Sequence, residues 1–164
     1  MARTRIKICG VTRGRDAVRA AELGAAFVGL NFWPGSPRCL EVEAARRIAE
    51  RVRGQVEVVG VFVDQPAELV QGVSDRVGLD LVQLHGEEGP AFVGRFGDRA
   101  IKVFRVGADF DPAALSDFPD VWGYLFDCDH PTLVGGSGVA WSYERVADVG
   151  RSKPVIVAGG LRPS

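Results

Sequence analysis

The chain has 164 residues, 46% hydrophobic and 25% charged, the composition of one ordinary globular domain, and at this length folding buries about 68–70% of the unfolded surface. A formal net charge of −1 excludes bulk attraction to nucleic acid or to an anionic membrane surface, and no apolar run is long enough to span a bilayer. Cys9, Cys39 and Cys128 are odd in number without metal or redox spacing, and two histidines make a histidine-rich metal site improbable, so reduced thiols in the cytoplasm are expected.

The first element is a strand through Arg5-Ile6-Lys7-Ile8-Cys9, in which the isoleucines alternate with lysine and thiol. That alternation, with no apolar h-region after the basic residues, argues against a signal peptide. Gly10 turns the chain. Thr12 and Asp16 are suited to cap or charge a helix whose apolar positions include Ala17, Ala20, Ala21 and Leu23. Strand two is read over 25–32. The following Trp33-Pro34-Gly35-Ser36-Pro37-Arg38 is a loop, because two prolines and a glycine exclude regular structure. A helix over 41–52 sets Val42, Ala45, Ile48, Ala49 and Val52 on one side. Strand three, 56–63, is continuous in β-branched residues and is predicted to be buried on both faces.

Pro66 opens the next helix. Strand four is Leu81 to Leu84, ending at His85-Gly86, and a short helix follows near Pro90. Strand five is 100–106, strand six 122–126 ending at Asp127, and strand seven 155–158 ending at Gly159-Gly160. Between the last two lie a loop at Gly135-Gly136-Ser137-Gly138 and a helix over 143–149. No linker interrupts the series, so residues 1–164 read as a single domain.

Strand and helix in unbroken alternation predict an α/β fold with parallel strands, either an open doubly wound sheet or a closed (β/α)8 TIM barrel. No Gly-x-Gly-x-x-Gly follows strand one, which weakens the dinucleotide-binding version. Cys9, His85, Arg105 and Asp127 instead recur at the C-terminal ends of different strands, where barrel enzymes carry their active sites.

A thiol and a carboxylate on separate strands suit general base and general acid. An ordinary thiol of pKa about 8.5 is only a few per cent thiolate at pH 7, a deficit of about 2 kcal/mol that a nearby cation offsets. Arg38 is one candidate cation. Each residue also has a plainer reading: Cys9 as packing, Asp127 as a cap on loop amides, Arg38 as a solvated loop side chain, His85 as a structural histidine. Gly159-Gly160 has the form of a strand-to-helix turn whose amides cradle phosphate, or of a tight turn needing positive φ. Lys7 shares its face with Cys9 one layer deeper, where an ion pair is expected, and Lys102 makes a Schiff-base aldolase conceivable.

The motifs, in order, are Lys7-Ile8-Cys9-Gly10-Val11-Thr12, Ser36-Pro37-Arg38, Gly60-Val61-Phe62-Val63, Gln83-Leu84-His85-Gly86-Glu87-Glu88, Leu125-Phe126-Asp127, Gly135-Gly136-Ser137-Gly138 and Ala158-Gly159-Gly160-Leu161. Together the set resembles the phosphoribosylanthranilate isomerases of tryptophan biosynthesis. The resemblance implies a TIM barrel and a cofactor-free Amadori rearrangement of a small phosphosugar-anthranilate substrate. It implies catalysis by Cys9 as base and Asp127 as acid, with Arg38 on the anthranilate carboxylate and Gly159 and Gly160 on the phosphate; His85, by its own place at a strand end, is a candidate substrate contact.

The pattern also departs from the family. Cys39 stands where an aromatic is usual, and Trp141-Ser142-Tyr143 replaces the usual Phe-Asp-Trp. Strand eight and most of helix seven are unaccounted for, so the barrel is expected to be incomplete at its C-terminus and the 164-residue chain to have little or no activity. A fragment that binds phosphate, or that self-associates through open sheet edges, is the alternative expectation.

Overall fold

The computed structural model describes residues 4–107, 110–127 and 152–159, and the chain divides into two compact units, Met1–Glu88 and Gly89–Ser164. The loop at 135–138, the helix read over 143–149, and Gly160 lie outside the described residues.

In the first unit, β1 (Lys7–Cys9), β2 (Phe27–Asn31), β3 (Glu57–Phe62) and β4 (Leu81–Leu84) pair in that order, all parallel. Between them run α1 (Gly14–Glu22), α2 (Val42–Val52) and α3 (Ala67–Val77). The 3.6-residue spacing in α2 buries Ala45, Ile48, Ala49 and Val52 and leaves Arg46 and Glu50 outward as an ion pair. β3 is buried from Val58 to Phe62, as a run of β-branched residues predicts. Registered partners in a parallel sheet share a face, so Cys9, Gly29, Val59 and Leu81 lie on one side together with Asn31, Val61 and Gln83.

Two local expectations fail. The residue preceding α1 is Arg13 and no side chain caps the helix; Thr12 lies one residue too early, and only Asp16 serves the first turn, through its charge. Leu23 is exposed, because α1 ends at Glu22 and the chain turns away at Gly24, φ +86°.

In the second unit, a short α4 (Pro90–Val93) precedes β5 (Ala100–Arg105), β6 (Gly123–Asp127) and β7 (Val155–Ala158), again parallel and in order. A 3-10 segment, Pro112–Asp117, links β5 to β6, and Asp111 caps it by accepting from Ala113 N at 2.9 Å. Phe104 anchors the packing there, with the rings of Phe110, Phe118, Tyr124 and Phe126 at 5.6–6.2 Å.

Candidate active site at the strand ends

Cys9 closes β1 with its side chain exposed. Directly beside it in register is Gly29, and the absence of a side chain there matters: Cys9 Sγ and Lys7 Nζ each come within 3.0 Å of where a Cβ on Gly29 would stand. Any larger residue would push thiol and ammonium aside. The ion pair expected for Lys7 is not formed among the described residues; its ammonium lies beside the thiol over Gly29 instead. Nothing in the sequence around Gly29 marks it out, since a glycine in a strand reads simply as a weak strand residue.

Gly10 then takes φ +77°, open to glycine at little cost, and both Gly10 N and Val11 N donate to Gly29 O at 2.9 and 3.0 Å. Arg38 folds over this turn. Its Nη1 donates to the Cys9 carbonyl at 3.5 Å, and its guanidinium occupies the space a Cβ on Gly10 would need. The 33–38 loop sets that reach. Asn31 Oδ1 accepts from Trp33 N at 2.8 Å, Ser36 N donates to Trp33 O at 3.0 Å, and Ser36 Oγ accepts from Arg38 N at 3.1 Å. Cys39 N and Leu40 N then return the chain to Ser36 O and Asn31 O. Arg38 is thereby brought to Cys9 across 29 residues of sequence.

His85 follows β4, half-buried, with its Nδ1 3.2 Å from Gln83 Nε2. Its loop is clasped to the loop after β3 by two carboxylates. Glu88 accepts from Asp64 N at 3.0 Å and from Gly86 N at 2.9 Å, while Asp64 Oδ1 accepts from Glu87 N at 2.7 Å. Asp64 holds φ +50°, a conformation that asparagine and aspartate tolerate best among residues with a Cβ. Neither Asp64 nor Glu88, the latter part of the Gln83–Glu88 motif, has a structural role legible in the sequence, and a glutamate next to Glu87 gives no sign that it is only 7% exposed.

In the second unit, Asp127 ends β6 half-buried, in register with Arg105 at the end of β5 and with Ala158 at the end of β7. Gly159 follows at φ +78°, as the glycine turn requires. Lys102 does not belong to this group. It is an odd number of residues from Arg105, so it faces the other side of the sheet, where it is 5% exposed with Nζ 5.7 Å from the Phe118 ring centroid. That orientation removes the geometry a Schiff-base lysine beside Asp127 would need.

A cavity of about 380 Å³ lies at the opposite ends of the first unit's strands, bordered by Arg5, Arg53, Val56 and Asp80, and holds none of these residues. Among the described residues no group of three or more His, Cys, Asp or Glu side chains is arranged to hold a metal ion, and no helix is long and apolar enough to cross a membrane.

The sequence model of the N-(5'-phosphoribosyl)anthranilate (PRA) isomerase family matches residues 6–164. Among individual proteins, the chain is 42% identical over 160 residues to N-(5'-phosphoribosyl)anthranilate isomerase of Geobacter sp. strain M21, an alignment that spans 98% of this chain and 78% of that one. Among solved structures it resembles phosphoribosyl anthranilate isomerase from Thermus thermophilus, with 40% identity, a TM-score of 0.80, and coverage of 98% of this chain and 78% of the other. A second isomerase structure, in complex with reduced 1-(o-carboxyphenylamino)-1-deoxyribulose 5-phosphate, is 30% identical with a TM-score of 0.76, covering 97% and 77% of the two chains.

Proposed function

The chain belongs to the N-(5'-phosphoribosyl)anthranilate isomerase family, a (β/α)8 TIM-barrel-type α/β fold, and from that premise we propose that its strand-end residues carry out the Amadori rearrangement of N-(5'-phosphoribosyl)anthranilate to 1-(2-carboxyphenylamino)-1-deoxyribulose 5-phosphate in tryptophan biosynthesis. Asp127 donates a proton to the furanose ring oxygen. The C1–O bond breaks and the anthranilate nitrogen forms an iminium with C1. Cys9 then removes the C2 proton, the electron pair moves to close an enolamine, and tautomerisation gives the ketone at C2. The acid and base act within one substrate, and protons taken and given balance without an external oxidant.

The observation that carries this reading is the Arg38 guanidinium over the Cys9–Gly10 turn. An arginine fork there suits the planar anthranilate carboxylate, and it sets that end of the substrate next to the thiol. His85, one residue beyond β4, is assigned as a second substrate contact. Gly159, at positive φ after β7, supports a phosphate-binding turn with Gly160. The test is binding of the reduced product analogue by calorimetry: Arg38→Gln is expected to lose about 10- to 100-fold in affinity, the worth of a charge-assisted hydrogen bond. Unchanged affinity would remove Arg38 from the site.

A second proposal concerns assembly. Among the described residues β1 pairs with β2 alone, and Ile6 just before it and Ile8 within it are 54% and 42% exposed. Such an apolar, unpaired edge favours self-association, which light scattering of the chain tests against an Ile6→Lys, Ile8→Lys variant. A monomer at all concentrations would end that proposal. The cytoplasm is the compartment proposed for the reaction, consistent with unpaired Cys9 and Cys39.

A further inference from the structure

Gln83 is a polar side chain inside β4 that the proposed reaction does not use. It is 2% exposed and aligned with Val61 of β3, on the same face as Cys9 and Gly29. An amide so buried is normally satisfied at both ends. Here Nε2 lies 3.2 Å from His85 Nδ1, and Oε1 has no hydrogen-bond partner among the described residues.

The amide has two orientations, and they dictate opposite states of the histidine. With Nε2 toward the ring, the amide donates, so Nδ1 accepts and the imidazole proton sits on Nε2. With Oε1 toward the ring, Nδ1 carries the proton. The second orientation strands an NH2 group with two buried protons, whereas the first strands one carbonyl oxygen. Buried orphan donors are the rarer and costlier of the two, so the first orientation is favoured.

We propose that Gln83 is a positioning residue that fixes His85 as the neutral imidazole with its proton on Nε2. His85 then carries its proton on Nε2, a hydrogen-bond donor at the end of β4, and is withdrawn from service as a proton-accepting base. The substrate this donor meets rests on the isomerase reading above; the tautomer itself does not.

The test reads the tautomer directly, in the ligand-free chain. The chain has one other histidine, His130, so a His130→Asn variant assigns the ring nitrogens of His85 in long-range proton–nitrogen NMR spectra. Near neutral pH, Nε2 is expected at a pyrrole-type shift and Nδ1 at a pyridine-type shift. The reverse pattern, or a pair of averaged shifts, would overturn the proposal. In Gln83→Glu the carboxylate can only accept, so Nδ1 is expected to move to the pyrrole-type or imidazolium range, and retention of the original pattern would overturn the proposal as well. If that variant fails to fold, Gln83→Met removes the donor without adding charge and is expected to give averaged tautomers. The wild-type spectrum alone decides between the two amide orientations. An Nε2–H histidine in a chain that fails to bind the product analogue would sink the isomerase reading and leave this inference standing.

Discussion

Replacing Gly10 with alanine tests the link between the Cys9 turn and Arg38, because two separate effects meet at that one atom. The backbone effect comes first: Gly10 holds φ +77°, and an L-residue in the left-handed region costs about 1–2 kcal/mol. The second effect is steric. The new Cβ would stand 2.6 Å from Arg38 Nη1, 2.8 Å from its Cδ and 2.9 Å from its Cζ. These atoms belong to a flexible side chain, so the guanidinium swings away at little cost in stability, but it leaves the position assigned to the substrate carboxylate. Losing a charge-assisted hydrogen bond there is worth about 1.5–3 kcal/mol, a fall in affinity of about 10- to 100-fold. The control is Gly24→Ala, with φ +86° and nothing within 4 Å of the added methyl. Urea unfolding should give the two variants similar losses of about 1–2 kcal/mol. Calorimetric titration with the reduced product analogue should then separate them, with affinity lost in Gly10→Ala and kept in Gly24→Ala. Equal affinity in both would refute the claim that Arg38 must lie over Gly10 to bind substrate.

Whatever turnover the unmodified chain shows, followed as loss of anthranilate-type fluorescence with substrate formed in situ, should fall nearly to background in Cys9→Ala and in Asp127→Asn while far-UV circular dichroism is unchanged; rates equal to the unmodified chain in either would strip that residue of its role. Glu88→Ala should destabilise the chain by about 2–5 kcal/mol, because the amides of Asp64 and Gly86 lose a buried acceptor, and an unchanged urea midpoint would show that the clasp contributes nothing. Burial raises the ionisation of Tyr124 above the usual phenol value, its hydroxyl donating to Leu115 O and Phe118 O. The neutral phenol is therefore the folded form, and its stability contribution is intact below the unfolded phenol value of about 10 and falls as pH rises through the higher folded value. Tyr124→Phe should flatten that alkaline loss in unfolding curves, at a cost of about 1 kcal/mol near neutral pH from the missing hydroxyl. Glu43, held below the ordinary carboxylate range by hydrogen bonds from Arg46 and Arg76, works in the other direction. Its contribution is present above the unfolded carboxylate value and falls as pH drops, so Glu43→Gln should blunt acid sensitivity in the same assay.

The elements that periodicity can specify were readable in advance. The α2 stripe repeats every three to four residues, and β3 is rich in valine and buried from Val58 to Phe62, so burial fixes what they become. What periodicity cannot specify is where a loop side chain ends up. Arg38 reaches Cys9 only because Asn31, Trp33 and Ser36 fold the loop back on β2, a set of bonds between backbone and short polar side chains that leaves no pattern in sequence. The Asp64–Glu88 clasp is invisible for the same reason, since it joins two loops 24 residues apart through backbone amides. Thr12 and Leu23 stand at the ends of α1, where boundaries depend on single turns such as Gly24 and leave no periodic signal.

The choice of base follows from what the other groups are already doing. Of the titratable side chains near the strand ends of Met1–Glu88, Asp64 and Glu88 accept from backbone amides and hold two loops together, so taking a proton would loosen the loops they clasp. His85 has Nδ1 engaged by Gln83, and with its proton on Nε2 it has no free lone pair to offer a carbon acid. Lys7 and Arg38 are cations that offer donors and no proton-accepting atom. Cys9 Sγ has no hydrogen-bond partner among the described residues and lies exposed at the end of β1, above a glycine that leaves room beside it. Of the groups just named, the Cys9 thiol takes the C2 proton without dismantling a structural contact, which ties Cys9→Ala to the tautomer of His85: if His85 were instead protonated on Nδ1, its Nε2 would be a competing base, and Cys9→Ala would keep part of whatever turnover the unmodified chain shows.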